Sequence, residues 1–149
     1  DTQMGGRPVD LTAANYSRRR AVYGFIDRQD LPDMFRVFDI ASPDQSAARR
    51  TRTTFPQQAL FLMNSPFVVD PSRALSARPD VVGLSDPAAR ISRLYEILFS
   101  RPPSPDEVEI GRQFIEAAGN AVVDSSVRLS PWEQYCQLLL LTNEGMYFD

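Results

Sequence analysis

Apolar residues recur along the chain in short runs, each closed off by proline, glycine or a polar cluster. The clearest run follows Asp86-Pro87. Ile91, Leu94, Tyr95 and Leu98 stand there at i, i+3, i+4 and i+7, so one helical face is continuously apolar. Pro102-Pro103 ends that helix. Ser104-Pro105-Asp106-Glu107 then has the spacing of a capping box, in which a serine oxygen accepts from the amide three residues on and the glutamate reaches back. The helix it predicts carries Val108, Phe114 and Ile115 and fades near Gly119. Ser130-Pro131-Trp132-Glu133 repeats the signature before Tyr135, Cys136, Leu138, Leu139 and Leu141.

Upstream, Thr54-Phe55-Pro56-Gln57 is a third capping box, and Ser65-Pro66 is a cap followed by proline at the first helical position. Residues 55–77 therefore read as one kinked helix or two abutting ones. Pro79 to Gly83 reads as a turn. Asp30-Leu31-Pro32-Asp33 predicts a short helix carrying Met34, Phe35, Val37 and Phe38. The stretch from Ala21 to Ile26 fits either period: a helix would gather Val22, Phe25 and Ile26, and a strand would alternate them. Charged flanks and the lack of a hairpin partner favour the helix. Residues 1–16, with Gly5, Gly6 and Pro8, read as an extended or poorly ordered lead-in. The whole predicts an all-α fold, an irregular bundle of about five to seven helices with little or no sheet. Residues 17–149 form one helical domain, the C-terminal part of something larger.

Charge and composition narrow the chemistry. All 16 basic residues are arginine, and histidine is absent. The usual general base, the commonest metal ligand and the Schiff-base lysine are all missing. One cysteine, Cys136, excludes an internal disulfide and any CxxC metal or haem site. No apolar run approaches the roughly 20 residues of a membrane span. Residues 1–52 carry nine arginines against seven aspartates, and residues 53–149 seven against twelve acids. That balance argues against a nucleic-acid partner. The opening Asp1-Thr2-Gln3 lacks the charged and apolar regions of a signal peptide and suggests a processed or truncated start.

Two polar groups of residues carry the candidate sites. Arg28, Asp39, Asp44, Arg52, Gln57 and Asn64 form the densest polar stretch and could bind a ligand. Asp39, Ser42 and Asp44 depart from the EF-hand spacing, so a capped turn is the preferred reading and no metal is assigned. Arg19 and Arg20, with Arg49 and Arg50, could grip phosphate, sulfate or carboxylate groups; solvated salt bridges are the plainer reading. The aromatic residues at helical spacing read as core, and Cys136 as a buried small hydrophobe.

Arg19-Arg20-Ala21-Val22-Tyr23-Gly24-Phe25, Phe38-Asp39, Pro56-Gln57-Gln58-Ala59-Leu60 and Met63-Asn64-Ser65-Pro66 resemble the C-terminal part of a planctomycete-specific family, domain of unknown function 1553. So do Arg93-Leu94-Tyr95, Arg101-Pro102-Pro103, Trp132-Glu133-Gln134-Tyr135 and Thr142-Asn143-Glu144. The resemblance spans about Arg18 to the end. It implies a large exported protein, periplasmic or in the cell envelope, that carries a cytochrome c-like domain, with haem c held outside this chain. It supplies no catalytic residues. The expected function is a non-catalytic helical module that packs on other domains of its parent or on a partner. The alternative is a module that completes an active site, or a binding site for an anionic polysaccharide, with the missing upstream region.

Overall fold

The computed structural model describes residues 4–11, 17, 19–27, 31, 33–38, 40, 56–120 and 129–146. Among them the fold is all-α: the only β pairing is one isolated bridge. The helices are α1 (Asp33–Val37), α2 (Pro56–Asn64), α3 (Pro66–Ser76), α4 (Pro79–Val82), α5 (Pro87–Phe99), α6 (Pro105–Asn120), α7 (Pro131–Leu140) and α8 (Asn143–Met146). The chain divides into two compact units, Asp1–Pro66 and Phe67–Asp149.

In the first unit, the helix favoured for Ala21 to Ile26 does not form. Ala21–Tyr23 make a single 3-10 turn, and the chain then runs extended through Gly24. The reason is a competing partner: Val9 donates to the Tyr23 carbonyl at 3.0 Å and accepts from the Phe25 amide at 2.8 Å. These bonds make the parallel bridge Val9↔Gly24. Leu11 packs so closely over Gly24 that a Cβ there would meet the Leu11 side chain. A side chain at residue 24 would therefore require Leu11 to shift. Further along, α1 forms where the Asp30-to-Asp33 signal placed it and buries Phe35. Phe38 and Phe61 meet edge to face at 5.7 Å. The stretch 55–77 resolves into two abutting helices broken at Ser65, with Pro66 opening the second. The predicted cap Thr54 lies outside the described residues.

The second unit is built around α5. Its cap Asp86 accepts from the amides of Ala88 and Ala89 at 3.4 and 3.1 Å, with Pro87 in the first turn. Ile91, Leu94 and Tyr95 are buried as their spacing requires, and Leu98 packs at the margin. Helices α6 and α7 both start in complete capping boxes, at Ser104–Glu107 and Ser130–Glu133. Tyr135, Cys136 and Leu139 from α7 join Leu75 and Val81 in one core. Each fully enclosed Ile91, Leu94 or Leu139 side chain contributes about 1.5–3 kcal/mol relative to exposure. The segment read as a turn at Pro79 is one helical turn, α4, with Val81 wholly buried. Leu138 belongs to the apolar run of α7 yet is 43% exposed. It stands one residue from Leu139, about 100° around the helix, and so off the core-facing stripe.

Candidate functional site

The most organised polar constellation lies where α5, α6 and α8 meet in the second unit. Ser100 closes α5 in the left-handed conformation (φ 55°) and turns the chain, so Arg101 falls beside the starts of the next helices. Its guanidinium forks onto Glu107, with Nη1–Oε2 at 2.9 Å and Nη2–Oε1 at 2.7 Å. It also forks onto Glu144, with Nε–Oε1 and Nη2–Oε2 both at 2.7 Å. Nη1 further donates to the Pro102 carbonyl at 3.1 Å. Arg101 carbon Cζ stands 5.2 Å from the centre of the Tyr95 ring. Glu107 does two jobs, because the Ser104 amide also donates to its Oε2 at 2.7 Å. The Arg101 hydrogen bonds, and then the Ser104 amide, hold the Glu107 carboxyl down at about 2. Glu144 is lowered by the same arginine.

A second network ties α4 to α5. Asp80 accepts from Arg78 at 3.0 Å through both oxygens and from Arg93 Nη2 at 2.8 Å. Arg93 also reaches Glu96 at 3.0 Å. Hydrogen bonds from Arg78, and then Arg93, keep the Asp80 carboxyl far below the usual carboxylate range.

Between these networks the core holds groups that stay protonated. Burial raises the Tyr135 hydroxyl well above its ordinary value, and the nearby Tyr95 hydroxyl adds to the effect. Burial pushes the Cys136 thiol up to about 12. A buried, protonated thiol is a poor nucleophile at neutral pH. The carboxylates of Asp80, Glu107 and Glu144 are held below their ordinary values and already bonded, so none of the three is poised near neutrality for proton transfer. Among the described residues no group of three or more His, Cys, Asp or Glu could hold a metal ion. Chemically, these constellations fasten helices to one another.

The sequence candidates are not gathered into a site among the described residues. Arg28, Asp39, Asp44, Arg49, Arg50 and Arg52 lie outside them. Gln57 is exposed on α2. Asn64 turns its Nδ2 back to the Leu60 carbonyl at 2.8 Å, within its own helix. Arg19 points inward along the chain: it donates to the carbonyls of Arg7, at 3.2 Å, and Gly5, and lies 4.2 Å over the Tyr23 ring. It pins the lead-in, while Arg20 is exposed. The sequence marks Glu107 as a cap and Arg101 and Glu144 as family-like residues. Nothing in a linear pattern joins Arg101 to a partner 43 positions away.

No curated protein and no solved structure matches the chain. A family model described as PSD1, protein of unknown function (DUF1553), matches residues 1–115. That span takes in the Pro-Gln-Gln-Ala-Leu block and Arg101-Pro102-Pro103, while the family-like residues at 132–135 and 142–144 lie beyond it. With most of its length matched, the chain belongs to the DUF1553 family of proteins of unknown function.

Proposed function

We propose that this chain is a non-catalytic helical module that packs, through its first unit, against other domains of a larger protein. The observation that carries the reading is the contrast between the two units. The second encloses a core of its own. In the first, only Leu11 and Phe35 are buried among the described hydrophobic residues, while Val22 is 77%, Phe25 58% and Leu60 59% exposed. Exposed large apolar residues also stand in the second unit, Ile110 and Val82 among them, but only the first lacks a buried cluster beneath them among the described residues, which suits a surface that other protein covers. The ion-pair networks fit the same role, since they stiffen the second unit.

The family resemblance supports a further part of the proposal: the parent protein is exported and carries haem c in another domain. On this reading, the chain supplies packing surface to that assembly and binds no cofactor of its own.

The test is to express the chain alone and follow a hydrophobic dye. The isolated chain is expected to bind the dye, and Val22→Ser with Phe25→Ser to reduce binding without changing the helical signal of the second unit. An isolated monomer that binds no dye defeats the proposal. So does turnover of glycan or ester substrates by the isolated chain.

A further inference from the structure

The arginines that surround the core of the second unit are not equivalent. Arg78, Arg93 and Arg101 each face a carboxylate at 3.0 Å or less. Arg90 faces none. It is half-buried on α5, and its Nε is enclosed with no acceptor in reach. Nη2 makes one long contact, 3.4 Å, to the carbonyl of Ser76 at the end of α3. Nη1 makes no hydrogen bond to a described residue, yet it is not enclosed as Nε is. The guanidinium lies flat enough on Trp132 to bring Cζ within 4.1 Å of the ring centre.

The energetics of this placement are incomplete. Withdrawing a cation from water is unfavourable unless a counter-charge or acceptors replace the lost hydration. The Trp132 face attracts the cation by roughly 0.5–2 kcal/mol but accepts no N–H bond in the guanidinium plane. The carbonyl at the α3 C-terminus carries only a partial negative charge. The edge formed by Nη1 and Nη2 therefore still presents donors in the fork geometry that matches two oxygens of one planar anion.

We propose that Arg90, backed by Trp132, binds a carboxylate through its Nη1–Nη2 edge. The class follows from charge and shape. One guanidinium balances one negative charge, and Glu133, next to Trp132 on α7, disfavours a dianion such as phosphate. The carboxylate belongs either to a free small acid or to an acidic side chain of another polypeptide. This site lies in the second unit and does not depend on the apolar surface of the first.

Trp132 is the sole tryptophan, so its fluorescence reports on the site directly. The full chain is titrated with sodium acetate and, separately, with N-acetylglutamate amide, at an ionic strength held constant with sodium chloride. A saturable change in emission is expected. Saturation by acetate alone identifies a free acid as ligand; saturation by both probes identifies a side-chain carboxylate as acceptable. Arg90→Gln is expected to abolish the response. Arg90→Lys, which keeps the charge and loses the fork, should raise the half-saturation concentration about tenfold. Circular dichroism checks that each variant is folded. The inference fails if neither probe gives a saturable change, or if Arg90→Gln responds like the parent chain. Should Arg90→Gln not fold, Arg90→Lys decides: half-saturation equal to that of the parent chain overturns the proposal.

Discussion

Tyr135 fills the space that a side chain at Gly111 would need. An ideal Cβ at residue 111 would lie 2.6 Å from Tyr135 Oη and 3.0 Å from Ile91 Cδ1. The absence of a side chain lets α6 approach α7 and α5 closely. Alanine at a mid-helix glycine would ordinarily gain up to about 1 kcal/mol of helix propensity. Overpacking a filled core costs about 1–3 kcal/mol. Tyr135 is only 2% exposed and its ring is rigid, so the clash is expected to win. Gly111→Ala should lower the urea midpoint. Adding Tyr135→Phe, which removes the obstructing oxygen, should recover part of the loss in a double-mutant cycle.

Acid should weaken the second unit through Glu107. Its carboxyl is lowered from 4.5 to about 2 on folding. A lowered folded value means that the unfolded chain binds more protons between those limits. The contribution is therefore complete above about pH 4.5 and is lost as pH falls towards about 2. Thermal melts of the parent chain should show this decline, and those of Glu107→Gln should start lower and fall less across the same window.

Cys136 makes the opposite prediction at alkaline pH. Burial raises its thiol from 9.0 to about 12, so the folded chain holds the proton more tightly. Its stabilising contribution is complete below pH 9 and is lost as pH rises towards about 12. The side chain is wholly enclosed. A thiol reagent should therefore modify it only as fast as the second unit opens, and urea should accelerate the reaction in step with unfolding. Rapid labelling of the native chain at pH 8 would contradict this.

The Ser130 cap can be weighed by itself. Its oxygen accepts from the Glu133 amide at 3.4 Å, and Glu133 Oε2 accepts from the Ser130 amide at 2.6 Å. Ser130→Ala should cost about 1 kcal/mol. Most of that loss should return in Ser130→Asp, which restores an oxygen acceptor at the helix start. Chemical denaturation at neutral pH measures both.

Helix starts at Asp86, Ser104 and Ser130 were legible in the chain because a cap is local. Donor and acceptor stand within three residues of each other, whatever the rest of the molecule does. The buried face of α5 was legible for a related reason: a period of 3.6 residues fixes which side chains share a side. The candidate site was not legible in this way. Asn64 has the chemistry of a ligand-binding residue, and in the fold it satisfies its own helix. Arg19 reads as surface charge, and in the fold it holds the lead-in carbonyls. Residue type states what a group can bond to, and only the backbone path states which partner arrives.

The remaining features depended on partners far apart in the chain. Val9 draws residues 23–25 out of the helix their pattern favoured. Arg101 closes on Glu144, and Arg90 settles on Trp132 instead of on an acid. Local hydrogen bonding and periodicity determine which segments are helices and which side chains they can bury. Tertiary packing decides which charges are neutralised, because that depends on which helix ends are brought within a few ångströms of one another.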